Sequence, residues 1–228
     1  MTVRRRAAGV AACVWVLALA ALPPQAGAQD KARQKSAAPA AGASAAKAPQ
    51  AVDYAQRFAS QCAACHGANG RSDVAGTPVL AGQPSLYAIT QLFLFREGRR
   101  ANPPMTAVAK TLSDDDMRGF ADYIGTLPPV PAPAPREPAD AARMARGRSL
   151  AEQHKCVFCH GAGLEGGQQV PRIAGQKEDY LQESLRGFKS GSRPGYTQAM
   201  TAAVSQVPVE DLDTLAYYAA RFTGAAGK

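Results

Sequence analysis

Apolar residues recur along this chain at helical spacing, and no segment alternates convincingly at the two-residue spacing of a strand. The clearest stripe reads Met117, Phe120, Ile124 and Leu127, and a second reads Leu212, Leu215, Ala219 and Phe222. Residues three and four apart share one face of a helix. The stripes therefore predict amphipathic helices over about 113–126 and 208–222. Ser113 stands where an N-cap belongs, with acids in the turn that follows. Two further helices are predicted at about 84–97 and 177–190, each running into a glycine (Gly98, Gly191) that can stop it. Lead helices cover about 51–64 and 139–158, and a shorter element covers each of two methionine regions. The pattern predicts an all-α chain in which one order of elements occurs twice.

The repetition extends to residue types. "LAGQ" at 80–83 matches "IAGQ" at 173–176, and the same offset of 93 places Tyr87 on Tyr180, Gly98 on Gly191 and Arg100 on Arg193. A two-residue shift then places Met105 on Met200, Asp116 on Asp211, and Tyr123 on Tyr218. This is an internal duplication.

Punctuation divides the chain. Residues 1–28 carry a basic "RRR", an Ala-rich apolar run and a small-residue "AGA", the pattern of a signal peptide cleaved after Ala28. Residues 29–50 lack large apolar side chains and read as a disordered Ala/Pro/Lys tether. Two segments with core-forming stripes follow, 51–127 and 139–224, joined by a Pro-Ala linker at 128–138. No later stretch is apolar enough to span a bilayer, so any membrane association is expected to be peripheral.

Charge narrows the partners. The 228 residues carry a net charge of +8, but three of the 26 basic residues belong to the signal, which leaves 23 against 18 acids. The segment 51–127 is neutral, with seven charges of each sign, and no basic–aromatic patch supports nucleic-acid binding. The second segment is slightly basic. Arg143, Arg146, Arg148 and Lys155 cluster around its lead helix, and they are expected to form a rim that favours one partner over another.

Candidate chemistry sits at "QCAACHG" and, ninety-four residues on, at "KCVFCHG". On a helix, Cys62, Cys65 and His66 point one way, as do Cys156, Cys159 and His160. Two thiols and an imidazole on one face suit covalent haem attachment, with thioethers to the vinyl groups and a histidine nitrogen on iron. A zinc cluster gives no reason for the trailing histidines, and a thioredoxin-like pair needs none. A disulfide within each pair is possible but strained. For the second axial position, Met105 lies 39 residues after His66, and Met200 lies 40 after His160. Met117 competes in the first half, but its counterpart is Leu212, which places it in the core stripe. His154, the one histidine left over, is expected to be an exposed helix residue.

Pro78 follows His66 by twelve residues and Pro171 follows His160 by eleven. The order Cys-x-x-Cys-His, proline, methionine, closing helix resembles the class I cytochromes c, and its doubling resembles the di-haem cytochrome c4 family over about residues 51–224. The resemblance implies two tandem class I cytochrome c domains, each wrapped around a covalently bound haem c, with the proline carbonyl accepting a hydrogen bond from the axial histidine. It implies iron ligation by His66 and Met105 and by His160 and Met200, with no open site for substrate. The implied role is a non-enzymatic periplasmic carrier moving electrons from a quinol–cytochrome c reductase towards a terminal oxidase or reductase. Two alternatives stay open: the cytochrome subunit of a dehydrogenase, such as flavocytochrome c sulfide dehydrogenase, or a di-haem peroxidase or thiosulfate dehydrogenase. The chain departs from the family in placing Asp53, not glycine, nine residues before its first Cys-x-x-Cys-His cysteine, so the first helix crossing is expected to pack differently.

Overall fold

A computed structural model describes residues 51–133, 137–193, 195 and 197–224; the expected signal and tether lie outside them. Among the described residues ten helices form two successive sets of five. The first set is α1 (Tyr54–Gln61), α2 (Ala63–His66), α3 (Ser85–Arg96), α4 (Pro103–Ala109) and α5 (Asp114–Thr126). The second is α6 (Ala141–Gln153), α7 (Cys156–His160), α8 (Glu178–Ser190), α9 (Ala199–Ser205) and α10 (Val209–Arg221). An isolated bridge between Gly167 and Val170 is the only β pairing among these residues.

The local chemistry explains the boundaries. Asp53 caps α1 by accepting from the Gln56 amide at 3.0 Å. Ser113 and Asp116 close a reciprocal capping box at the start of α5, satisfying two backbone donors that a helix end leaves over. Gly191 ends α8 at φ 77, a conformation in which a side chain would be strained. The lead helices do not run through the cysteine strings as the periodicity predicts. The first breaks at Cys62 (φ −115), and the second breaks at Lys155, which turns left-handed at φ 56. The break re-aims the Cys-x-x-Cys-His turn relative to the helix before it, which continuous apolar spacing conceals.

Each set closes on its own core. Phe58, Leu112, Met117, Phe120 and Ile124 form the first; Leu150, Leu164, Leu181, Leu212, Leu215, Tyr218 and Phe222 lie in the second. Both predicted stripes face inward, and Met117 is buried against the first core. Phe58 is fully buried, and enclosing a ring of that size contributes about 1.5–3 kcal/mol. In both sets the lead and closing helices cross, and the helix between them packs on the closing one. Both sets belong to one compact unit. The described start of the linker lies against it. Gly82 donates to the Leu127 carbonyl at 3.0 Å, and Ala132 donates to the Gly175 carbonyl at 2.7 Å. A Cβ at Gly82 would lie 2.8 Å from Pro129, so that turn admits only glycine.

Candidate functional site

The site begins with a tight turn. The amides of Cys65 and His66 donate to the Cys62 carbonyl at 3.2 and 3.0 Å, which brings Cys62, Cys65 and His66 onto successive positions of one turn. Among the described residues no disulfide joins the four cysteines of the two strings; Cys62 and Cys156 are half-buried, Cys65 and Cys159 exposed. Burial pushes the Cys62 thiol up to about 11, against the nearby Arg57, and raises Cys156 as well.

His66 and His160 are buried, and their rings are held alike. The His66 Nδ1 lies 3.0 Å from the Pro78 carbonyl oxygen, and the His160 Nδ1 lies 2.9 Å from that of Pro171. A carbonyl only accepts, so Nδ1 carries the proton and Nε2 keeps its lone pair. Burial pushes both imidazoles below their usual pKa, with the proline bonds opposing. A neutral imidazole with a free Nε2 is the form that binds a metal. Loop bonds brace the turns: Ser72 Oγ donates to the Cys65 carbonyl at 2.8 Å, and the Gly166 amide donates to that of His160 at 2.8 Å.

The methionines sit on the short helices. Met105 lies in the first turn of α4, its amide donating to the Asn102 side chain at 3.0 Å. Met200 lies in the first turn of α9, which has no side-chain cap, and packs partly against the second core. Both are half-buried.

Sequence reading passed over the joint between the halves. Gln83 donates through Nε2 to the Arg172 carbonyl at 2.8 Å and accepts from the Arg172 amide at 3.1 Å. Gln176 repeats this on Val79, donating at 2.9 Å and accepting at 2.7 Å. Beside this clasp, Arg100 and Arg193 both donate to the Tyr180 hydroxyl, at 3.1 and 3.0 Å. Burial opposes ionisation of Tyr180, but Arg193 and then Arg100 outweigh it and lower its pKa; burial together with Tyr180 raises that of Tyr87. Two guanidiniums gathered at a protein joint suit an anionic group such as a cofactor carboxylate. The only sequence signal for these residues was their recurrence at a constant offset.

The basic group on the second half is less free than its spacing implies. Arg146 is ion-paired with Asp211 at 2.6 Å, and Arg143 stacks on Tyr217 with its guanidinium carbon 4.0 Å from the ring centre. Lys155 is exposed, next to a Phe158 that is 86% exposed. His154 is half-buried rather than exposed. It caps α6, and its Nε2 is shut off from solvent without a partner among the described residues.

Comparison with known proteins follows the same lines. The family model described as Cytochrome c matches residues 51–128 and 144–218. A thiosulfate dehydrogenase electron acceptor from Thiomonas intermedia is 36% identical, covering 70% of this chain and 82% of its own. A cytochrome c4 from Pseudomonas aeruginosa is 31% identical, covering 72% and 84%. The crystal structure of reduced recombinant cytochrome c4 from Pseudomonas stutzeri superposes with a TM-score of 0.64 at 26% identity, covering 74% of this chain and 96% of that one. Two successive Cys-x-x-Cys-His turns, each with its histidine tied to a proline carbonyl, on two successive all-α cytochrome c domains, make this chain a member of the di-haem cytochrome c4 family and a carrier of electrons through covalently bound haem c.

Proposed function

We propose that the chain binds two haems and works in the periplasm as a one-electron relay between redox proteins. In this reading Cys62 and Cys65 hold one haem, and Cys156 and Cys159 hold the other. His66 and His160 would bind iron through Nε2, and Met105 and Met200 would each supply a second ligand. Arg100 and Arg193 supply positive charge for cofactor carboxylates at the joint. The observation that carries the reading is the buried, neutral imidazole of each half, its Nδ1 fixed on a proline carbonyl. When bound, haem c supplies the redox couple, and a thioether ligand favours its reduced form. The protein's part is to orient the imidazole, keep it neutral and exclude water around it.

Two partner assignments follow from different observations. The resemblance to cytochrome c4 favours delivery from a quinol–cytochrome c reductase to a terminal oxidase or reductase. The similarity to thiosulfate dehydrogenase electron acceptors favours a role as acceptor for a dehydrogenase of an oxidisable sulfur compound. Both make the chain a carrier and neither requires it to be the catalyst.

Intact-mass analysis of the purified protein is the first test: two haems should stay with the chain through acid–acetone extraction, and one or none defeats the reading. Replacing Met105 or Met200 singly should then reduce the ferric sulfur-to-iron absorption band by about half. Stopped-flow reduction by quinol–cytochrome c reductase, compared with reduction by thiosulfate dehydrogenase and thiosulfate, decides between the partners.

A further inference from the structure

The interdomain clasp touches the histidine supports themselves. The peptide joining Pro78 to Val79 has its oxygen on His66 Nδ1 at 3.0 Å and its N–H on Gln176 Oε1 at 2.7 Å. The peptide joining Pro171 to Arg172 has its oxygen on His160 Nδ1 at 2.9 Å and its N–H on Gln83 Oε1 at 3.1 Å. Each glutamine is thus bonded to one end of a peptide whose other end holds the axial histidine of the opposite half. The amide orientations are not arbitrary. In each clasp Nε2 faces a carbonyl, at 2.9 Å for Val79 and 2.8 Å for Arg172, so Oε1 must face the N–H. Both glutamines are buried, at 5% and 4% exposure, so water competes little for these bonds.

We propose that Gln83 and Gln176 are positioning residues that tune the reduction potential of the haem in the opposite half, each acting through a single peptide group. When the peptide N–H donates to a glutamine Oε1, electron density is pushed onto the peptide's carbonyl oxygen, because hydrogen bonds in series polarise one another. A more negative carbonyl draws harder on the Nδ1 proton and makes the imidazole more basic at Nε2, as outer partners of ligating histidines do. A stronger donor favours ferric iron and lowers the potential. The coupling is crossed: Gln176 acts on the His66 site and Gln83 on the His160 site. The proposal rests on the reading of His66 and His160 as axial ligands.

The test uses the full-length holoprotein and the variants Gln176→Leu, Gln83→Leu, Gln176→Glu and Gln83→Glu. Spectroelectrochemistry gives the two potentials, and Met105 and Met200 variants identify which belongs to which half. Gln176→Leu should shift the first potential upward and leave the second nearly in place, with the His66 Nδ1–H resonance moving upfield. Gln83→Leu should do the reverse. The Glu variants keep an acceptor on the N–H and should hold the opposite potential at or below its wild-type value, although they lose the Nε2 bond. A purely structural role predicts the contrary, since a buried carboxylate disturbs the joint at least as much as Leu. Shifts confined to the glutamine's own half, equal shifts in both halves, or no shift would overturn the relay while leaving the haem reading intact. A wild type without covalent haem would overturn both. If a Leu variant fails to fold, the Glu variant and the wild-type nitrogen-15 shifts of the Val79 and Arg172 amides still decide it: amides without the downfield position of a strongly bonded N–H contradict the proposal.

Discussion

The two halves repeat a close crossing of first and last helices but make room for it on opposite sides. In the second half the lead helix carries the small residue: a Cβ on Gly147 would lie 2.4 Å from Tyr218 Cβ and 3.1 Å from the Thr214 carbonyl. In the first half Asp53 occupies the equivalent place and is used as an N-cap. There the closing helix gives way, and a Cβ on Gly119 would lie 2.0 Å from the Tyr54 ring, which itself stands edge-on to Phe120 at 5.2 Å. The acid beside the crossing is repeated as well, yet its partner is not. Asp116 takes Arg57, while Asp211 takes Arg146 from a different turn of the lead helix. What a duplicated fold retains is the approach of two helices and the neutralised acid beside it. The residues that supply each can be exchanged.

The largest expected effect breaks the symmetry of the crossings. Gly147→Ala meets a Cβ and a backbone carbonyl that have nowhere to go, and overpacking of this kind costs about 1–3 kcal/mol. Gly119→Ala meets only the ring of a half-buried tyrosine, which can swing outward, and should cost less. Calorimetry of the two holoprotein variants should show a larger fall in melting temperature for Gly147→Ala; the opposite order would refute this account of the crossings.

A smaller difference separates the methionine helices. Asn102 caps α4 on the Met105 amide, whereas α9 has no such cap. Asn102→Ala should therefore cost about 1 kcal/mol of local stability, read as faster hydrogen exchange at Met105. Gln198→Ala, its counterpart by position, should leave exchange at Met200 unchanged.

The surfaces beside the two cysteine strings differ more in kind than in energy. The second presents Lys155 and Phe158 where the first presents Gln61 and Ala64. With Arg146 and Arg143 already engaged, Lys155 and the exposed Arg148 are the cations left to act in the encounter, and Lys155 is the one beside the cysteine string. Lys155→Gln should slow oxidation by the native membrane fraction at low salt and flatten its ionic-strength dependence, as rim charges do. Phe158→Ala should slow it at every salt concentration. Matching changes at Gln61 and Ala64 that proved equally harmful would erase the distinction between the faces.

The smallest effect is a titration. Hydrogen bonding from Arg57 leads in holding Asp116 down to about 2 from its ordinary 3.8. A depressed carboxyl contributes stability that is complete above the ordinary value and is lost as pH falls towards the depressed one. Arg57→Gln should remove that contribution and raise the acid-unfolding midpoint of the first half, followed by circular dichroism below about pH 5.

Much of this molecule was legible in the chain. Helical stripes gave both cores, including Met117, because burial of a periodic face is a local property that needs no knowledge of the rest of the fold. The Cys-x-x-Cys-His turns and the Ser113 cap are likewise local. The breaks at Cys62 and Lys155 were missed, because a left-handed Lys155 leaves no mark in apolar spacing. The place opposite Ser60 in the repeat predicts an exposed His154, whereas its ring nitrogen is enclosed.

The sequence by itself determined that the chain is helical, that one order of helices occurs twice and which side chains recur, since those depend on interactions spanning a few residues. The tertiary structure alone decided what the recurrence is for. Gln83 and Arg172 are 89 residues apart, and Gln176 and Val79 are 97 apart. No local pattern reports a bond of that span. A buried amide finds its partner only when the other half has folded against it, and the cost of leaving it unpaired then holds the two halves in register.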